Sequence, residues 1–363
     1  MSNLTPIEGP MVWKGPDIDY RNEGVRVLST DEIDEIDTAL EYLHSRGEID
    51  FPDITPAMFP LPALGRFLGG LADELRYGRG FLLLRGLPRA RYSLDDMARI
   101  YYGLGAHIGR PVPQSYQGEL LGHVIDVSDV EAQARGYHKG GSQRMHSDNC
   151  DIVSLTCVRS AKSGGISRFV SAAAVHNRLL EERPDLLETL YGQYVFRRME
   201  LDAEFGTGYL VKKVVIFSRA NGEFTCNVSG SYPHRAVKAG DAVMTPLQIE
   251  ALEELKRISS LPELYLDMTI AEGDMQFLNN RTILHGRTGY DDWPEMARRR
   301  HLMRLWLHAP SWPRLPANQG VHTPEDPPLW LRQRQKLMEQ PSRYLAEMAR
   351  RQEGLMPLPE MAH

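Results

Sequence analysis

The first 28 residues show no hydrophobic period; they are rich in Gly, Pro and Asp and predict an extended lead-in. The pattern then turns helical. Ser29-Thr-Asp-Glu32 has the form of a capping box, and Ile33, Ile36, Leu40 and Leu43 follow at helical spacing. A second amphipathic segment spans about 64–75, and a third helix is predicted over 93–104. Between them the period changes. Gly80-Phe-Leu-Leu-Leu-Arg-Gly86 is a short apolar run bounded by glycines, the mark of a buried strand.

The middle and rear of the chain are mostly strand-like. Strands are predicted over 123–127, 151–158, 166–171, 194–199, 211–217, 223–227, 264–270, 274–278 and 301–308. Asn221-Gly222 lies between two of these and signals a tight hairpin. Helical patterns interrupt at 172–190 and at 245–258, the latter opened by Thr245 with Pro246 at the first helical position. Many short strands with a few helices favour a double-sheet β fold over alternating βαβ units. Six prolines between 310 and 328 make an extended connector, followed by two short helical patterns over 329–340 and 342–352. These tail helices are expected to pack on the same domain, with a lid or an oligomer contact as the alternatives.

Composition narrows the function classes. The 42 Lys+Arg against 48 Asp+Glu give a net charge of −6, which argues against nucleic-acid binding. Three cysteines without CxxC spacing encode neither a disulfide framework nor a zinc knuckle. The N-terminus lacks a signal-peptide pattern, and the apolar runs fall far short of the ~20 residues of a membrane span. The expectation is a cytoplasmic protein with a small-molecule partner and no nucleic-acid or membrane partner; the tail leaves a homo-oligomer open.

The segment carrying chemistry is Arg144-Met-His146-Ser-Asp148-Asn-Cys150. An HxD pair on an extended segment puts an imidazole and a carboxylate on one face. A second histidine, His285, lies far downstream in Asn279-Asn280-Arg281-Thr282-Ile283-Leu284-His285-Gly286. Two imidazoles and one carboxylate match the facial triad of non-haem Fe(II) oxygenases, which leaves positions open for substrate and oxygen. A 2-oxoglutarate co-substrate would need a rigid cation for its far carboxylate, and arginine binds carboxylates bidentately. Arg298-Arg299-Arg300-His301-Leu302-Met303-Arg304-Leu305-Trp306 offers one, with Arg300, Leu302 and Arg304 on a shared strand face. His234, His301 and His308 lack a carboxylate at ligand spacing and are expected to be structural.

These segments together resemble the taurine dioxygenase (TauD/TfdA) family of Fe(II)/2-oxoglutarate-dependent dioxygenases. The resemblance rests on the strand Gly80–Gly86, His146-Ser-Asp148, Ser163-Gly164-Gly165-Ile166-Ser167 and Glu272-Gly-Asp274-Met-Gln-Phe277-Leu-Asn-Asn280. It continues through Leu284-His285-Gly-Arg287 and Arg300-His-Leu302-Met-Arg304-Leu-Trp306, in the family's order from about residue 78 to 309. It implies a mainly β (α+β) fold: a double-stranded β-helix, or jelly-roll and cupin-like, core with helical additions at the N-terminus, in insertions and at the C-terminus. The expected organisation is residues 1–77 packed on an oxygenase core at 78–309, with a connector and tail helices at 310–363, all in one structural domain.

By the same resemblance His146, Asp148 and His285 would hold Fe(II), and Ser167 and Arg300 would bind 2-oxoglutarate, with O2 as the oxidant. Arg304 lies where the taurine-oxidising members place a substrate-anion arginine. Tyr116, Tyr137, His138 and Arg144 are further candidates for substrate contact, the last three from a glycine-flanked stretch at 136–144 expected to form a mobile loop. The implied reaction couples oxidative decarboxylation of 2-oxoglutarate to succinate and CO2 with hydroxylation of an unactivated C–H bond. Asp148 at its position disfavours halogenation. Desaturation, cyclisation or epimerisation with the same cofactors is the alternative outcome, and a non-catalytic jelly-roll binding protein the reading from another class.

Overall fold

The computed structural model describes residues 4–114, 119–129, 139–198, 210–229 and 231–319. Its helices are α1 (Tyr20–Glu23), α2 (Thr30–Ser45), α3 (Leu64–Tyr77), α4 (Leu94–Ile108), α5 (Ala172–Glu182), α6 (Pro184–Leu190), α7 (Tyr232–Lys238) and α8 (Pro246–Ser259). The strands of the first half are β1 (Val25–Val27), β2 (Phe81–Arg85), β3 (Arg110–Pro111), β4 (Leu121–Ile125), β5 (Gln143–His146), β6 (Ile152–Arg159), β7 (Ser163–Gly164) and β8 (Ser167–Ser171). Those of the second half are β9 (Gln193–Arg198), β10 (Leu210–Val215), β11 (Phe217–Ala220), β12 (Glu223–Cys226), β13 (Leu266–Met268), β14 (Met275–Asn279), β15 (Ile283–Arg287), β16 (Tyr290–Asp291) and β17 (His301–His308).

Local signals account for the element ends. Ser29 and Thr245 each close a capping box, with Glu32 and Gln248 respectively. Asn221 and Gly222 both take positive φ, 58° and 79°, as the tight hairpin between β11 and β12 requires. Three expectations need correction. The helical stretch at 172–190 is two helices, because Pro184 cannot continue α5 and instead opens α6. The lead-in contains a strand, β1, held parallel to β2. Gln143 and Arg144, at the end of the stretch expected to form a mobile loop, belong to β5.

Eleven of the described strands make two sheets with a core between them, and β9–β10, β11–β12 and β7–β16 form separate two-stranded pairs. The major sheet runs β1-β2-β14-β6-β17-β3, with β4 also paired to β17; the minor sheet runs β13-β8-β15-β5. Phe81, Leu83, Val153, Leu278 and Trp306 from the major sheet meet Phe169, Leu266, Met268 and Ile283 from the minor one, with Trp13 inserted among them. The alternate residues of the same strands, Leu82, Leu84, Met275, Phe277, Met303, Leu305 and Leu307, pack outward against α2, α3 and α4. Both faces of the major sheet are therefore covered, which is why β2 reads as a continuous apolar run rather than an alternating one. Val170 and Leu284 of the minor sheet face α5, α6 and α8 in the same way. This is the jelly-roll core. No helix among the described residues is long and apolar enough to cross a membrane. The tail beyond residue 319, including both predicted helices, lies outside the described residues.

Candidate metal centre and anion pocket

Strand register brings the two histidines together. His146 at the end of β5 lies opposite His285 on β15, and their rings are 4.4 Å apart. Asp148 follows in the turn after β5. Its Oδ1 is 3.8 Å from His146 Nε2 and its Oδ2 3.6 Å from His285 Nε2. The ligand atoms of the three residues all fall within 4.8 Å of one another, as one bound metal ion would require. Among the described residues this is the one group of three or more His, Cys, Asp or Glu placed to hold a metal.

Hydrogen bonds prepare His146 and Asp148 for a cation. His146 Nδ1 donates to the Arg144 carbonyl at 2.9 Å, which leaves the lone pair on Nε2. Burial pushes the His146 pKa down to about 4, with the neighbouring His285 adding to the effect, so the ring is neutral at pH 7. Burial alone would raise the Asp148 pKa, but Arg304 and the two imidazoles outweigh it and keep the carboxyl ionised. Trp306 Nε1 donates to Asp148 Oδ2 at 2.9 Å, and Arg304 Nη1 stands 3.5 Å from the same oxygen. Oδ1 retains its lone pairs. His285 Nδ1 is buried without a hydrogen-bond partner among the described residues. Two imidazoles and one carboxylate, converging at this spacing, fit a divalent iron.

Asn280 fixes the turn. Its Oδ1 accepts from the Asp148 N–H at 2.9 Å, and its Nδ2 donates to the carbonyls of Asp148 and Cys150 at 2.7 and 2.8 Å. Ser147 and Val228 exchange a second pair of bonds at 2.8 and 2.9 Å. Sequence reading quoted Asn280 within a motif but gave it no role, and it missed Trp306 as an Asp148 partner. Trp306 was findable, because alternation along β17 puts it on the face that Arg304 occupies. The structure also gives Gln114 a definite place: its Oε1 accepts from Arg304 Nε at 2.7 Å, and its Nε2 donates to the Arg304 carbonyl at 2.7 Å.

The three adjacent arginines separate by environment. Arg298 is exposed and stacks on Trp293, 3.6 Å from the ring centre. Arg299 is committed to a bidentate pair with Asp129. Arg300 is only 6% exposed and meets no carboxylate at ion-pair distance among the described residues. Its Nη2 donates to the Gly165 carbonyl at 3.3 Å, and its guanidinium lies 5.2 Å from the Tyr290 ring centre. Burial, aided by the nearby Arg287, pulls the Arg300 pKa down to about 10. A buried cation without a counter-ion is costly, and a bound anion offsets that cost. Ser167, 5% exposed, faces the same interior and lies opposite Arg287 in the register of β8 and β15.

The remaining candidates are less central. The Arg144 side chain is exposed, and the residue meets the site through its carbonyl. Tyr116, Tyr137 and His138 lie outside the described residues. Arg287 donates to the carbonyls of Lys139 and Gly141 at 2.6 and 3.2 Å, tying the strand that carries His285 to the loop before β5. His301 is fully buried and hydrogen-bonds His123 at 2.9 Å, and His308 donates to Asp151 at 2.7 Å, so both are structural. Cys157 is buried, its thiol pushed up to about 11, and does not read as a nucleophile.

Comparison with known proteins agrees with this geometry. FR-33289 synthase of Streptomyces rubellomurinus is 28% identical over 327 residues, 87% of this chain and 94% of that protein. The structure of asparagine oxygenase with Fe(II), 2S,3S-3-hydroxyasparagine and succinate superposes with a TM-score of 0.62 at 16% identity, covering 78% of this chain and 93% of that one. The non-heme iron oxygenase OrfP with Fe and alpha-ketoglutaric acid superposes with a TM-score of 0.57 at 13% identity, covering 78% and 93%. The two structural likenesses carry the jelly-roll fold. The family described as "Taurine catabolism dioxygenase TauD, TfdA family" matches residues 50–306. The chain belongs to that family and is an iron- and 2-oxoglutarate-dependent oxygenase.

Proposed function

We propose that this oxygenase hydroxylates a C–H bond of a small anionic organic substrate, with His146, Asp148 and His285 holding the iron and Arg300 and Ser167 holding 2-oxoglutarate. The observation that carries the proposal is the pairing of two features in one interior. One is the convergence of three ligand groups within 4.8 Å; the other is the buried Arg300 guanidinium without a carboxylate partner among the described residues. Iron and 2-oxoglutarate, when bound, supply the oxidising power, with succinate and CO2 as by-products.

The chain's own residues then have distinct tasks. Arg300 offers a planar fork to the far carboxylate of 2-oxoglutarate, and the Ser167 hydroxyl offers a neutral donor beside it. Trp306 and Arg304 hold Asp148 ionised and oriented. Gln114 fixes Arg304 in turn, so that its positive charge stands beside the ligand carboxylate. A cation so placed also favours an anionic substrate near the metal, which is the reading given to Arg304 here. The test is a succinate-release screen of iron-loaded protein over small carboxylic, sulfonic, amino and aromatic acids. The expected result is substrate-dependent succinate together with a product that has gained one oxygen atom from O2. A product that has lost hydrogen without gaining oxygen would replace hydroxylation by desaturation or cyclisation, and no succinate with any acid would remove the proposal.

A further inference from the structure

We infer that Gln276 is a positioning residue for the co-substrate: its buried amide sets which way the Ser167 hydroxyl proton points. The inference rests on the assignment of Ser167 to 2-oxoglutarate proposed above. Gln276 lies on β14 of the major sheet and is 1% exposed. Its neighbours Met275 and Phe277 face the helices, so its own side chain crosses the space between the sheets. There Ser167 Oγ donates to Gln276 Oε1 at 2.9 Å, while Gln276 Nε2 lies 3.2 Å from Met268 Sδ. Met268 is itself the register partner of Ser167 across β13 and β8.

The two ends of the amide are unequally satisfied. A hydroxyl carries one proton, and with that proton on Gln276 the Ser167 oxygen has only lone pairs to turn toward a carboxylate. Two sets of lone pairs repel. Thioether sulfur is a weak acceptor, so the nitrogen gives up little by turning away from Met268; the buried Oε1 loses its donor in the same turn, a cost that the stronger, charge-assisted bond from Ser167 to the carboxylate offsets. A half-turn about the last side-chain torsion puts Nε2 against Ser167 Oγ. Ser167 then receives a hydrogen bond from Gln276 and donates its own proton onward to the carboxylate. Each bond in such a chain polarises the next. Gln276 thereby switches Ser167 from a donor within the protein to a donor toward 2-oxoglutarate. No titration is involved, since both groups are neutral.

The experiment is an anaerobic titration of the Fe(II)-loaded full-length protein with 2-oxoglutarate, read as the visible charge-transfer absorbance of the chelate. Wild type, Q276M, Q276L, S167A and the double variant S167A/Q276M are compared. Methionine conserves volume beside Met268, and leucine serves if methionine perturbs folding. S167A and each Gln276 single variant should weaken 2-oxoglutarate binding by about five- to tenfold, the worth of one neutral hydrogen bond. In the S167A background the Gln276 substitution should have no further effect. If S167A leaves the affinity unchanged, the assignment of Ser167 to the co-substrate fails. If S167A weakens binding but the Gln276 variants bind as well as wild type or more tightly, or add their full effect to S167A, the positioning role is overturned while the assignment stands.

Discussion

The turn that carries Asp148 is anchored through its main chain by the Asn280 side chain, and removing that side chain gives the sharpest test of how the site is built. Asn280 is 2% exposed and satisfies three backbone groups, the N–H and carbonyl of Asp148 and the carbonyl of Cys150. Asn280→Ala leaves all three without their partner. An unsatisfied buried polar group costs about 1–3 kcal/mol, so the low end of the range already sums to roughly 3 kcal/mol. A single water admitted into the space can recover part of this, provided it finds two or more polar partners. Against a total stability of about 5–15 kcal/mol the loss is large. Urea unfolding should therefore show a clearly lower midpoint at unchanged slope. Because the same bonds orient Asp148 toward the two histidines, Fe(II) affinity should fall as well, measured anaerobically on the folded variant. Asn280→Asp keeps the acceptor for the Asp148 N–H but sets a carboxylate against two carbonyls, and should recover neither property. If Asn280→Ala unfolds within about 1 kcal/mol of wild type and binds Fe(II) equally well, the reasoning fails. The reciprocal Ser147–Val228 bonds would then be sufficient to hold the turn.

Three further outcomes follow from the geometry. Gly165→Ala adds a Cβ 2.8 Å from Arg300 Nε at a residue with φ of +68°, so the 2-oxoglutarate KM should rise and the strained backbone should lower stability by about 1–2 kcal/mol; an unchanged KM would separate Gly165 from the co-substrate site. Arg304→Ala should raise the KM of an anionic substrate more than that of 2-oxoglutarate, and the reverse pattern would move Arg304 to the co-substrate. Asp151, 1% exposed, accepts from Arg281, His308 and the Ala309 N–H; burial raises its pKa, but these partners outweigh burial and hold it below the usual range. A lowered native pKa gives stability that is present above the unfolded value of about 3.9 and is lost as pH falls below it. Asp151→Asn should therefore cost about 3–5 kcal/mol at pH 7 by stranding Arg281, and should flatten the acid limb of a stability–pH curve measured from pH 6 to 2; an unchanged acid limb would refute the assignment.

How much of this was legible in the sequence depended on whether a residue's chemistry agreed with its element. The capping boxes at Ser29 and Thr245, the Asn221-Gly222 hairpin and the glycine-bounded β2 are local signals, and each appears where expected. The strand carrying His285 was not among the predicted strands. In β15 the inward positions include His285 and Arg287, so an element lining the site breaks the apolar alternation by which strands are recognised. β5 was hidden for the same reason: Gln143, Arg144 and His146 make it read as a polar loop. The metal ligands themselves were readable because residue type and spacing carry them. What joins them was not readable. That Asn280 would reach Asp148 across 132 positions, or Gln276 reach Ser167 across 109, depends on strand register, which no local pattern encodes. The three arginines show the same limit: sequence placed them together, burial separates Arg300 from the exposed Arg298, and the Asp129 pair of Arg299 separates it from that equally buried neighbour.

The central claim is that His146, Asp148 and His285 form one iron site whose neighbouring Arg300 takes 2-oxoglutarate. Its most direct test is an anaerobic absorbance titration of the full-length protein with Fe(II) followed by 2-oxoglutarate, run beside His285→Ala and Arg300→Gln. Wild type should develop the visible charge-transfer band of the chelate at one equivalent of iron, His285→Ala should lose it, and Arg300→Gln should require about tenfold or more 2-oxoglutarate to reach it, in line with a lost charged hydrogen bond. Folded wild-type protein that shows no band, or a His285→Ala variant that shows it undiminished, would contradict the account.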